Sequence, residues 1–99
     1  MKASELSGAA LDWAVGATGE YGCGFFSTDW AIAGPIIERE GICLSCVDTN
    51  AAWDARIYES DAEPWQGEGN TPLQAAMRCY VASVLGDEVE IPEELGVAA

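Results

Sequence analysis

The segment NTPLQAAMRCYVASVLGDE, starting at Asn70, constrains the fold more than any other part of the chain. Thr71 is a strong helix N-cap, Pro72 suits the first helical position, and Gln74 completes a T-x-x-Q capping box. Leu73, Met77, Tyr80 and Val84 recur at helical spacing and make one apolar face, and Gly86 is placed to end the helix. Such a face needs a partner layer, so the rest of the chain must supply one.

Two strands are the natural partners. ICLSCV (Ile42–Val47) is apolar at both alternating sets of positions, which predicts a strand covered on both sides. AAWDARIYE alternates, with Trp53, Ala55 and Ile57 on one side and Asp54, Arg56 and Tyr58 on the other. Asp48-Thr49-Asn50 is a suitable hairpin connection. SDAEPWQGEGN reads as a polar surface loop leading to Thr71.

Upstream, a first helix is expected from about Ser4 to Val15, with Leu6, Ala10 and Trp13 on one face and Gly16 ending it. GATGEYGCG then reads as a loop. FSTDWAIAGPIIERE contains a helix interrupted by Gly34-Pro35. It reads as two short helical pieces, one capped at Ser27 or Thr28 and one started by Pro35, with Gly41 at the end.

The order is helix, kinked helix, strand, strand, helix. The expected class is α+β: a small α-β-α sandwich forming a single domain over residues 1–99, with 87–99 an acidic C-terminal segment. Two strands are marginal alone. The sheet is therefore expected to gain a strand from the glycine-rich loop or the tail, or to continue into a second subunit as a homodimer or higher homo-oligomer.

The 99 residues carry 17 acidic side chains against four basic ones, Lys2, Arg39, Arg56 and Arg78, for a formal charge of −13. That balance disfavours direct binding to nucleic acids or anionic membranes. No apolar run is long enough to span a bilayer, and Glu5 and Asp12 interrupt any signal-peptide core. A cytoplasmic location with free thiols follows as the expectation. Cys43 and Cys46 form C-x-x-C and, with Cys23 and Cys79, could nominally bind zinc. On a strand, however, positions i and i+3 face opposite sides. Buried or free cysteines are the preferred reading, with no metal and no cofactor.

Histidine is absent, which removes the commonest general base. Neither a catalytic constellation nor a phosphate-binding glycine loop of known type is present, so a non-enzymatic protein is expected. The candidate site combines Ser27, Thr28, Asp29, Trp30, Arg39, Trp53, Thr71 and Arg78. Two helix starts and the arginines suit an anion, and the tryptophans offer stacking surfaces.

SELSGAALDWAVG, FSTDWAIAGPIIERE, the lone strand tryptophan and TPLQAAMRCYVASVLGDEVEIPEEL together resemble the NinX-like group of small bacteriophage proteins. The resemblance runs from about Ser4 to Leu95 and is least close in the glycine-rich loop and residues 59–69. It extends to the wider phage α-β-α sandwich domain, with its S-T-D helix start, strand tryptophan and alanine-rich last helix. The recurring motif residues correspond to Ser27, Thr28, Asp29, Trp30, Gly34, Pro35, Ile36, Glu38, Trp53, Thr71, Pro72 and Arg78. The resemblance implies an accessory role that adjusts the infected host, and brings no catalytic residues.

Taken together, these readings lead to a phage accessory protein that binds and sequesters a small nucleotide-derived signal of bacterial antiviral defence, at a pocket expected to be shared between subunits. The alternative is an acidic protein–protein inhibitor, with Glu88, Glu90, Glu93 and Glu94 covering a basic host nuclease or DNA-binding protein.

Overall fold

The computed structural model describes residues 2–48, 52–58 and 63–92. The elements are a short 3₁₀ turn (Ala3–Glu5), α1 (Gly8–Ala17), α2 (Trp30–Glu40), β1 (Cys43–Asp48), β2 (Ala52–Ile57), β3 (Trp65–Gly69) and α3 (Pro72–Leu85). The α+β class and the helix–helix–strand–strand order hold, and a third strand precedes the last helix. The three strands form one antiparallel sheet in the order β1-β2-β3. The β1–β2 connection expected at Asp48-Thr49-Asn50 falls largely outside the described residues.

β3 lies within the stretch read as a surface loop, and among the described residues neither the glycine-rich loop nor residues 87–92 add a strand to the sheet. The misreading has a physical cause. Gly67 and Gly69 suggest a turn, yet their role is close approach. A Cβ on Gly67 would lie 2.5 Å from both the Ala75 carbonyl oxygen and the Cys79 nitrogen. One on Gly69 would lie 2.8 Å from the Ala75 nitrogen. Small residues on both sides let α3 lie directly on the strand, as glycine in a strand often permits.

α3 is consequently buried almost all round. Leu73, Met77 and Tyr80 form the large apolar face, while Ala75 and Cys79 meet the glycines of β3. Val84, assigned to the large face from its spacing, is 47% exposed in the last turn. The Thr71 side chain accepts from the Gln74 backbone N–H at 3.1 Å. The Gln74 side chain reaches one residue further back than a capping box requires, accepting from the Asn70 N–H at 2.8 Å.

α3 packs against all three strands and against α1, α2 and the 3₁₀ turn. The opposite sheet face carries Cys43, Ser45, Arg56 and Glu68, and no described element covers it. The expected covering of β1 on both sides is therefore not found: Cys43, Ser45, Cys46 and Val47 are exposed, and their modest hydrophobicity does not require burial. In β2, Ala55 and Ile57 are buried and Arg56 is exposed as the alternation predicts, whereas Trp53 is only half-buried and Asp54, on the polar side, is buried.

The first helix is also divided differently. An extended link at Leu6 and Ser7 separates the 3₁₀ turn from α1, and α1 runs through Gly16 to Ala17. Trp13 is 38% exposed, whereas Leu11, Ala14 and Val15 are buried.

Residues 30–40 form one helix rather than two pieces. Asp29, not Ser27 or Thr28, is its N-cap, accepting from the Ala31 N–H at 2.9 Å. Pro35 lies inside the helix, and Gly41 ends it in the left-handed region at φ 66°. Gly34 explains the continuity. A helical residue before proline normally clashes through its Cβ with the proline ring, and glycine has no Cβ.

Candidate functional site

Seven of the eight candidate residues separate into three places, and the eighth, Asp29, caps α2. Ser27, Thr28, Trp30 and Thr71 line a hollow of about 240 Å³ between the starts of α2 and α3. Trp53 and Arg78 line a cavity of about 570 Å³ at the β3 side of the sheet. Arg39 belongs to neither.

The helix-start group is largely occupied by its own backbone. The Asp29 carboxylate and the Thr71 hydroxyl serve as caps. The N–H groups of Thr28 and Asp29 both donate to the Phe25 carbonyl, at 3.1 and 2.9 Å. The Ser27 N–H donates to Asp12 Oδ1 at 2.8 Å. Few donors remain for an anion. Trp30 is 52% exposed on the rim.

Arg39, in the last turn of α2, donates to Glu20 Oε2 at 3.1 Å and lies 5.4 Å from the centre of the Tyr21 ring. Tyr21 in turn donates to Glu40 at 2.8 Å and meets Tyr80 edge-on. Arg39 thus ties the glycine-rich loop to α2. Arg56 is likewise committed, donating through Nε to Asp54 Oδ2 at 2.9 Å. Gln66 Nε2 donates to Asp54 Oδ1 at 2.6 Å, so this carboxylate is satisfied on the open sheet face.

Arg78 differs. Its Nε donates to the Leu6 carbonyl and its NH1 to the Glu68 carbonyl, both at 2.7 Å. These bonds pin the N-terminal segment and the edge strand to α3. No acidic side chain among the described residues pairs with it. Burial lowers its pKa, though arginine stays charged. The described residues contain no buried side-chain nitrogen or oxygen without a partner. Arg78 lines the cavity together with Ser4, Trp53, Gly67, Gly69 and Asn70.

Sequence reasoning missed Ser4, Gln66, Gly67, Glu68, Gly69 and Asn70 as cavity walls. The signal was W-Q-G-E-G, whose period of two places Trp65, Gly67 and Gly69 on one face. Reading the whole stretch as a polar surface loop hid it.

The cysteines are dispersed. Cys79 is buried, donating from Sγ to the Trp65 carbonyl at 3.3 Å, and burial pushes its thiol up to about 12. Cys23 and Cys43 are exposed elsewhere. Among the described residues no group of three or more acidic or cysteine side chains could hold a metal ion. No described helix is long and apolar enough to cross a membrane.

The fold and cavity define a small α+β protein with an arginine-and-tryptophan pocket at a sheet edge. The family model "Bacteriophage P22, NinX" matches residues 23–84, more than half the chain, so the chain belongs to the NinX family of bacteriophage proteins. All eight candidate residues fall within that match. No curated protein matches the chain.

Proposed function

We propose that this phage protein is a non-enzymatic binder of a small nucleotide-derived ligand, held in the Trp53–Arg78 cavity. In the host cytoplasm it would sequester a signal of antiviral defence. The observation that carries the reading is Arg78: a partly buried cation that pairs with no acidic side chain among the described residues and lines the same cavity as a tryptophan, in a chain of charge −13. A guanidinium suits phosphate, and an indole suits a base. The volume, about 570 Å³, lies in the range of small-ligand pockets. Trp30 and Arg39 drop out of this site, and Ser27, Thr28, Asp29 and Thr71 act as structure around helix starts.

Calorimetric titration against cyclic dinucleotides and ADP-ribose derivatives tests the reading. Binding is expected, with at least tenfold weakening in Arg78→Lys, which keeps the charge but loses the fork. Mass spectrometry of the denatured complex should return the ligand intact. Product instead of ligand would make the protein an enzyme. No heat from any member, together with salt-sensitive capture of a basic host protein, would favour the acidic-inhibitor reading.

A further inference from the structure

The Trp53–Arg78 cavity does not end at Arg78. A second cavity of about 220 Å³ lies beyond it, walled by Lys2, Ala3, Ala82 and Asp87. Ser4, Gln66, Gly67 and Arg78 belong to both cavities. The guanidinium therefore stands at the junction of two chambers along the β3 edge, one with an aromatic wall and one smaller and alanine-floored.

Resting on the ligand-binding reading above, we infer that the ligand is two-headed: a phosphodiester or pyrophosphate at Arg78, with a ring-bearing group in each chamber. Three observations converge. First, Arg78 is held from behind by two carbonyls, so its remaining N–H groups are fixed in direction rather than swinging with a mobile side chain. A fixed fork suits a phosphate at one defined point. Second, two of the chain's four basic residues, Lys2 and Arg78, line these chambers, while Arg39 and Arg56 are paired with carboxylates. Third, the two chambers share Arg78 but differ in lining, with Trp53 walling one and Ala3 and Ala82 the other, as two unlike halves of one ligand require. Glu68 contributes to the wall, but its carboxylate lies 3.4 Å from the Gln66 amide.

The test compares each two-headed ligand with the mononucleotide half it contains: cyclic di-AMP and ADP-ribose against AMP, and cyclic di-GMP against GMP. At least one whole ligand should bind more than thirtyfold tighter than its half. Amide resonances of Ala3, Ala82 and Asp87 should shift with the whole ligand and not with the half. Asp87→Trp, which adds bulk to the wall of the smaller chamber, should remove most of the advantage of the whole ligand over the half. Equal affinity of whole and half, with shifts confined to the Trp53 chamber, would overturn the two-headed ligand and leave the binding reading standing. If neither halves nor wholes bind, the binding reading itself fails.

Discussion

At the scale of the residue, Gly67 has the strictest requirement. An added methyl would meet backbone atoms of α3, which cannot rotate away. Gly67→Ala should cost about 1–3 kcal/mol, the range for overpacking, and chemical denaturation should show a lower midpoint. Cys79 gives a second residue-level expectation. Burial pushes its thiol from 9.0 to about 12, and burial with the Glu40 hydrogen bond raises Tyr21 from 10.0 to about 12. Both folded values exceed the unfolded ones. The associated stability is complete below about pH 9 and is lost as pH rises from there towards 12. A denaturation series across that window should show the decline, and Tyr21→Phe should reduce it. At pH 8, iodoacetamide should label Cys23 and Cys43 while sparing Cys79.

At the scale of the element, α2 shows how a local rule can be right and its conclusion wrong. Proline does disfavour a helix interior, and dividing residues 30–40 at Pro35 follows from that rule. The preceding glycine changes the outcome by removing the clashing Cβ, so the helix continues at the expense of one hydrogen bond. The two residues should therefore be coupled. Pro35→Ala, at an exposed position, should stabilise by about 1–3 kcal/mol because it restores that bond. Gly34→Ala should stabilise by about 1 kcal/mol only in the Pro35→Ala background. A double-mutant cycle by thermal or urea unfolding measures the coupling, and strict additivity would contradict it. α3 was more legible, because Thr71, Pro72 and Leu73, Met77, Tyr80 are strong local signals. Its second face was not, since Ala75 and Cys79 announce a close contact only once their glycine partners are known.

At the scale of the whole molecule, the alternation in β2 and the final helix revealed the class, whereas the third strand and the cavity it builds were hidden. A strand whose inward residues are glycines carries no hydrophobic pattern of its own. The site suffered for the same reason. Trp53 and Arg78 could be named from their chemistry, but their common wall depends on β3. Arg39 and Trp30 looked equivalent to them in sequence and differ only in their neighbours: Arg39 faces Glu20 and Tyr21, and Trp30 faces caps already in use. The charge of −13 sharpens the distinction. Where acids outnumber bases so heavily, an arginine that forms no ion pair among the described residues is the feature that needs explaining.

The most direct measurement is the indole region of a ¹H–¹⁵N correlation spectrum, recorded as the nucleotide panel is titrated into the full chain. The account predicts that the Trp53 indole and the Arg78 Nε signals shift together with one ligand, while Trp13 and Trp30 stay in place. Shifts centred on Trp30, or none at Trp53 and Arg78 with any ligand, would contradict it.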